Sequence, residues 1–315
     1  MKIVSFVILH YGDLETTDLC VSSILRMDQQ ERIRIVIVDN DVKEAPESRQ
    51  RIQDRYRGIG RITVLPVMEN GGFSYANNLG YAYARDVLGA SFIVVVNNDI
   101  EFPQKDFIER LDRAYREHPA AVLGPDVVRK STGEHQNPLD VRLRTRLEAE
   151  RTARMNEMAL KCYGLIYPFL YLNRRRLEKA STKARRAADT RAEDAAAEAM
   201  TGKASANARA GETAGAAREG VVLFGAILIF TPLFTEREEK AFWPETGFYY
   251  EEYILAARCR KHGYRMAYVP QLQAFHESGK ATKRSFGSEK KRLRFEMEHI
   301  AESARIYQKY LGKRR

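Results

Sequence analysis

This sequence predicts a layered α/β architecture built on a mostly parallel sheet, and three observations carry that prediction. Short continuous runs of Val, Ile, Leu and Phe recur, the pattern of strands covered on both faces. Segments with helical spacing alternate with them. The first four runs each break off on polar or glycine residues, at the strand ends where open α/β sheets hold ligands.

Ile3 to Leu9 is the first strand; it meets His10-Tyr11-Gly12-Asp13, not the cleavage site of a secretion signal. Glu15 to Gln29 has helical spacing, with Leu19, Ser23, Ile24 and Met27 on one face and Thr16 or Thr17 placed to cap it. Ile33 to Val38 is a second strand ending on Asp39-Asn40-Asp41, and Arg61 to Val67 a third, leading into Asn70-Gly71-Gly72. Ser74 caps a helix through about Leu88 with Leu79, Tyr83 and Val87 on its stripe. Ser91 to Val96 is the most continuous β-branched run and stops on Asn97-Asn98-Asp99. Asp106 to Glu117 reads as an amphipathic helix and Ala121 to Val128 as another strand.

From about Leu177 to Glu219 large apolar residues almost vanish, and the Ala, Arg, Glu, Lys and Thr left cannot bury a core; this is a low-complexity insertion. Order resumes with a strand or strand pair at Val221 to Phe230, kinked at Gly225. A helix begins near Glu251-Glu252, turns Glu252, Leu255, Ala256 and Cys259 inward and ends at Gly263. Tyr264 to Val269 is a last strand, His276 follows it, and Ser288 to Arg315 is a basic helix with Leu293, Met297, Ile300 and Ile306 inside.

The 315 residues carry 52 Lys plus Arg against 42 Asp plus Glu, a net +10 that fits an anionic partner: nucleotide phosphate, nucleic acid or an acidic membrane surface. A nucleic-acid role rests on charge alone, because no aromatic-basic strand pattern or zinc spacing accompanies it. Cys20, Cys162 and Cys259 form no framework and read as free thiols in a reducing compartment. No run approaches the ~20 apolar residues of a membrane span, so a cytoplasmic protein is expected.

Asp99 is the best single candidate for holding a divalent cation. Asn97-Asn98-Asp99 also suits a plain turn, and it is the convergence of four such ends on one edge that describes a site. Glu251 and Glu252 are the second signal. Two crowded carboxylates at a helix N-terminus suit a general base, although acidic residues are common in any first turn. Neither a Rossmann fingerprint nor a P-loop follows the first strand.

Taken in order, Ile8-Leu9-His10-Tyr11, Ile37-Val38-Asp39-Asn40, Asn70-Gly71-Gly72-Phe73 through Ala76-Asn77-Asn78-Leu79-Gly80, and Val96-Asn97-Asn98-Asp99-Ile100 form a recognisable series. Gly225-Ala226, Phe248-Tyr249-Tyr250-Glu251-Glu252 through His262-Gly263-Tyr264, and His276 continue it. The series resembles the inverting glycosyltransferases of family 2, close to the rhamnosyltransferase-like members that build bacterial surface polysaccharides. It covers roughly residues 1–130 and 220–280.

The resemblance implies a GT-A fold: a Rossmann-like, mostly parallel mixed sheet flanked by helices, with an acceptor-side subdomain and the insertion as an addition. It divides the chain into a nucleotide-sugar-binding half (1–130), a variable segment (131–220), an acceptor-binding and catalytic half (221–285) and the C-terminal basic helix (286–315). It implies that Asp39 reads the nucleobase of a nucleotide-diphosphate sugar, with His10, Tyr11, Asn70, Gly71, Gly72, Asn78, Asn97 and Asn98 around that donor. Asp99, completed by His276, would hold Mg²⁺ or Mn²⁺, and Glu252 would be the catalytic base with Glu251 orienting the acceptor. Asn97 stands where the family usually has a first Asp, and Glu252 where Asp is more frequent.

The implied acceptor is a glycan or lipid-linked glycan, and no nucleic acid is involved. The aromatic stretch Tyr163 to Leu172 beside Arg174-Arg175-Arg176 suits contact with the inner face of an anionic membrane, or else a buried segment with a solvated basic end. The alternative function is a nucleotide-sugar-binding protein or sugar nucleotidyltransferase without glycosyl transfer.

Overall fold

The computed structural model describes residues 2–41, 45–69, 71–177, 179–180, 217–277 and 288–312. Strand β1 (Val4–His10) is followed by α1 (Leu14–Leu25), β2 (Ile33–Asp39), α2 (Ala45–Tyr56) and β3 (Ile62–Pro66). Next come α3 (Gly72–Ala82), β4 (Phe92–Asn97), the two-residue β5 (Ile100–Glu101), α4 (Phe107–Glu117) and β6 (Val122–Arg129). Helix α5 (Arg146–Lys161) runs through a turn at Cys162 into a further helix, α6, over 163–177. Strands β7 (Arg218–Glu219) and β8 (Ile227–Phe230), α7 (Pro232–Thr235), α8 (Glu251–His262), β9 (Met266–His276) and α9 (Glu289–Gly312) complete the chain.

One sheet in the order β3-β2-β1-β4-β8-β6-β9-β5 joins these strands, with β7 on the flank of β9. β3, β2, β1 and β4 are mutually parallel, whereas β8 is antiparallel to both β4 and β6. Alternate side chains of the central strands feed two cores. Val7, Val36, Val38 and Val95 pack with α3, α8 and α9, while Phe6, Ile8, Ile35, Ile37, Val94 and Val96 pack with α1, α2 and α4. That two-faced burial explains the continuous apolar runs.

Several expectations need correction. A parallel β2–β3 pair requires a crossover, and α2 provides it. Among its described side chains the buried apolar ones are Ile52 and Tyr56, too few to make a stripe legible in sequence. In α1 the buried face is Thr16, Thr17, Cys20, Val21, Ser23 and Ile24, so Thr16 and Thr17 lie within the helix and Leu19 is exposed. In α3, Leu79 is exposed, as is Val87 beyond the helix, because α3 meets the sheet through its small residues. A Cβ on Gly80 would lie 2.3 Å from Val7 Cγ1 and 2.6 Å from Val38 Cγ2.

Only Ile227–Phe230 of the expected 221–230 run is strand, and Gly225 lies in the turn before it. β9 is longer than expected and ends on His276 itself. α9 buries Ala301, Ser303, Ala304 and Tyr307, leaving Leu293, Met297, Ile300 and Ile306 half-buried. The expected insertion falls mostly on residue 178 and residues 181–216, outside the described residues, as does Asn70.

Gly80→Ala should therefore destabilise the fold. Overpacking between α3, β1 and β2 predicts a loss of about 1–3 kcal/mol in urea unfolding. An unchanged midpoint would mean that α3 can step off the sheet.

Candidate active site

Parallel pairing brings the ends of β1, β2 and β4 level. His10 is in register with Asp39, and Leu9 with Asn97. The His10, Thr17 and Asn98 side chains lock these ends together. Thr17 Oγ1 donates to the Asp13 carbonyl at 3.1 Å and accepts from Asn98 Nδ2 at 3.0 Å. Its one proton is thus spent, so the 2.7 Å contact with His10 Nδ1 requires the imidazole to donate. Burial pushes the His10 pKa down to about 4, so the ring is neutral at neutral pH.

Asp99 follows β4 and meets the end of β9. Its carbonyl accepts from the Glu277 N–H at 2.9 Å, and Ile100 is in register with His276. Asp99 Oδ2 lies 3.3 Å from His276 Nε2, while Oδ1 is buried with no hydrogen-bond partner among the described residues. His276 Nδ1 sits 2.7 Å from Gln136 Oε1, which orients the ring. An orphaned carboxylate oxygen beside an oriented imidazole is a donor set that fits Mn²⁺ or Mg²⁺. Among the described residues no group of three or more His, Cys, Asp and Glu is arranged to hold a metal, so remaining ligands would have to come from substrate or water.

The two glutamates are presented by strained backbone. Tyr249 and Tyr250 both have positive φ, 68° and 64°, immediately before α8. Left-handed conformations at two bulky residues cost about 1–3 kcal/mol each and persist only where the surroundings enforce them. Here the Phe248 carbonyl accepts from Ser303 Oγ at 2.7 Å, and the Phe248 ring stacks on His299 at 5.2 Å. The Tyr250 hydroxyl accepts from Arg144 Nη1 at 2.9 Å, and its ring packs on Tyr253 and Tyr307.

Glu251 is buried and its Oε1 has no partner among the described residues. Burial, then repulsion from Glu252, raises its pKa well above the ordinary 4.5. The Glu252 side chain packs on Gly225: a Cβ there would lie 2.4 Å from Glu252 Oε1. Burial raises the Glu252 pKa too, with a hydrogen bond to the Gly225 backbone and the nearby Arg144 charge pulling the other way.

Segment Phe224–Ala226 joins the two halves. The Ala226 carbonyl accepts from the Asn97 N–H at 2.9 Å, Gly225 carries Glu252, and the Phe224 ring lies 5.8 Å from His276. Asn137 fixes this segment, its Oδ1 accepting from the Phe224 N–H at 3.1 Å and its Nδ2 donating to the Pro125 carbonyl at 2.7 Å. The turn thus contacts Glu252 directly and Asp99 through His276.

On the side of β2, burial raises the Asp39 pKa, and Asp39 Oδ1 accepts from the Asp41 N–H at 3.2 Å. Asn40 is buried beside it, its Oδ1 without a hydrogen-bond partner among the described residues. Gly72 has φ +82°, and a Cβ there would lie 2.6 Å from the Gly247 carbonyl oxygen, which accepts from the Phe73 N–H at 2.7 Å. Asn78 completes the clamp, exchanging 3.0 Å and 2.9 Å hydrogen bonds with the Phe242 carbonyl and N–H. Gly71 is held against the Tyr75 ring, and Tyr11 is half-buried after β1.

The expected site residues therefore divide. Asp39 and Asn97 end strands at one sheet edge, Asp99 neighbours His276, and Glu252 packs on Gly225 beside the residue that bonds Asn97, with Glu251 next to it at the α8 start. The side chains of His10, Asn98 and Asn78 are committed to holding loops. Asn40, Gln136, Asn137 and Arg144 carry the site without having been singled out. Only Asn40 had a sequence signal, its place after a strand end.

Residues 5–180 match the family described as glycosyl transferase family 2. The chain belongs to that family. Its mixed sheet with flanking helices is the GT-A fold, shared with the mannosyltransferase PcManGT from Pyrobaculum calidifontis, solved with GDP-Man and Mn²⁺ (TM-score 0.50, 12% identity, 96% of this chain and 73% of that one). It is shared also with GalNAc-T7, solved with UDP, GalNAc and Mn²⁺ (TM-score 0.51, 10% identity, 88% of this chain and 44% of that one). Residues 1–349 of S. aureus TarS align over 90% of this family 2 chain and 63% of their own length, with TM-score 0.48 and 12% identity. The family 2 chain thus spans less than two thirds of both TarS and GalNAc-T7. No curated protein sequence matches it.

The buried glutamate makes stability depend on pH. Above the ordinary value of 4.5 an unfolded Glu251 ionises while the folded one keeps its proton, so stability is present below 4.5 and falls as pH rises toward the folded pKa. Glu251→Gln should raise the urea midpoint, by a margin that grows with pH across that window. A margin independent of pH would show that Glu251 is already ionised in the folded chain.

Proposed function

We propose that this family 2 chain is an inverting glycosyltransferase. It moves a hexosyl or rhamnosyl unit from a nucleotide-diphosphate donor to a hydroxyl of a glycan or lipid-linked glycan, at the inner face of a membrane, in bacterial surface polysaccharide synthesis. One observation carries the reading: Glu252 packs on Gly225 of the Phe224–Ala226 turn, and His276, whose Nε2 lies 3.3 Å from Asp99 Oδ2, meets the Phe224 ring of the same turn. A single displacement at a sugar carbon needs both a cation ligand and a proton acceptor, and one turn links the candidates for the two.

Asp39 and Asn40 hold the nucleobase, for which Asn40 Oδ1 offers an unspent acceptor. Asp99 and His276 hold Mg²⁺ or Mn²⁺, which neutralises charge on the diphosphate leaving group when bound. PcManGT and GalNAc-T7, both solved with Mn²⁺ and nucleotide, support that assignment. Glu252 takes the proton of the acceptor hydroxyl as that oxygen attacks, and one displacement inverts the anomeric centre. Glu251, protonated through burial and its neighbour's charge, hydrogen-bonds the acceptor and leaves Glu252 as the group that ionises. Arg144 and the Gly225 backbone favour the ionised form of Glu252.

Glu252→Gln should lower transfer by about 10²–10⁴-fold while the donor still raises the thermal midpoint. Full transfer by that variant would remove Glu252 as the base, and retention of the anomeric configuration in the product would remove the single displacement. Asp99→Ala should abolish the Mn²⁺-dependent part of the donor's thermal shift, measured without acceptor; an unaltered shift would move the cation elsewhere.

A further inference from the structure

The longest exposed apolar surface lies on α5 and α6, away from the sheet. Met155 is 70% exposed and Met158 68% on α5, with Leu147 also exposed, and Leu165 85%, Phe169 72% and Leu172 56% on α6, at helical spacing within each helix. The opposite face of α6 is occupied. Tyr163 donates to the Lys290 carbonyl at 2.6 Å, and Lys290 Nζ lies 5.5 Å over the Tyr167 ring, so the tyrosines face α9. The sequence stretch expected to act as one aromatic surface is therefore two surfaces, and among the described residues the Leu-Phe-Leu one is exposed.

Charge distinguishes this stripe from an ordinary unfinished core. Arg151, Arg154, Lys161, Arg175 and Arg176 are exposed on the same two helices; Arg151 and Arg154 alternate at helical spacing with Leu147, Met155 and Met158, and Arg175 lies 5.2 Å over the Tyr171 ring. Between residues 151 and 177 the one acidic residue is Glu157, and it is paired with Arg305 at 2.8 Å. Arg154 is partly offset by Glu150 at 2.6 Å; the flanks remain basic at both ends. Apolar side chains along a helix with basic residues to either side are built for the boundary between anionic headgroups and acyl chains. An isologous pairing with a second copy would set these same basic side chains against one another. No described helix is long and apolar enough to cross a membrane, so contact would be lateral.

We propose that the exposed stripe of α5 and α6 docks the enzyme on an anionic lipid surface. The inference rests on the lipid-linked acceptor of the proposed function for its purpose, and on the two helices alone for its existence. Its position suits that purpose. α9 packs on α6 through Tyr163 and reaches the catalytic loop through Ser303 and Tyr307, which bond the Phe248 and Arg144 carbonyls at 2.7 Å each. Docking therefore fixes the orientation of the Glu251-Glu252 end of the cleft relative to the bilayer.

The test is flotation of the full chain with phosphatidylcholine vesicles, with and without phosphatidylglycerol, in the absence of sugar donor. Binding should favour the anionic vesicles by about tenfold or more and weaken with added salt. Leu165→Gln with Phe169→Gln, and separately Arg175→Glu with Arg176→Glu, should each cut vesicle binding by about tenfold or more. Both pairs should leave the thermal midpoint and transfer to a water-soluble acceptor unchanged, which separates docking from catalysis. The proposal is overturned by no binding, by equal binding to both vesicles, or by binding that survives both pairs. A dimer in sedimentation velocity that the Leu165→Gln, Phe169→Gln pair dissolves would overturn it in favour of a second copy.

Discussion

The candidate site depends on how closely Gly225 approaches Glu252. No side chain fits between them: a Cβ on Gly225 would sit 2.4 Å from Glu252 Oε1. The contact fixes more than one carboxylate, because Ala226 bonds the end of β4 and Phe224 lies against His276. The turn therefore links His276 and Asp99 to Glu252, and Asn137 holds the turn from outside. The backbone of Gly225 thereby confines the rotamer of the long Glu252 side chain that packs on it.

Burying two carboxylates beside one another is unfavourable, and the fold makes the cost asymmetric. Burial and then the neighbouring Glu252 push the Glu251 pKa well up, whereas on Glu252 a hydrogen bond to the Gly225 backbone and the field of Arg144 oppose the rise from burial. Arg144 is itself positioned. Its guanidinium lies 4.6 Å over the Tyr253 ring, it donates to the Tyr250 hydroxyl, and its carbonyl is bonded by Tyr307 from α9. The positive φ angles at Tyr249 and Tyr250 are held by this same aromatic and cationic cluster. Strain, burial and charge at the start of α8 thus have a common support in Arg144, just before α5, and in α9.

Much of this was legible in sequence where a signal was local. A β-branched run ending in Asn-Asn-Asp located β4 and Asp99, and paired glutamates before a helical segment located the start of α8. What was not legible depends on partners far along the chain. Gln136 and Asn137 matter only because β9 and the Phe224 turn come to them. Asn78 looks like a ligand residue in sequence, yet its amide is satisfied by Phe242, 164 residues away. α2 escaped notice because a solvated crossover needs few apolar residues, and Leu19 misled because α1 meets the sheet through smaller side chains.

The same distinction separates the two faces of α6. Periodicity alone cannot tell a tyrosine that packs on α9 from a leucine left in solvent, since both recur at helical spacing. The burial pattern does tell them apart, and it leaves an apolar stripe on the helices whose partner, α9, braces the catalytic loop. An enzyme acting on a freely diffusing glycan gains nothing from such a stripe and bears its aggregation hazard. One acting on an acceptor confined to a surface gains orientation, because restricting both reactants to one plane removes rotational freedom before the hydroxyl meets Glu252. The cost of exposed Leu165 and Phe169 is then offset by work that α9 carries to the catalytic loop.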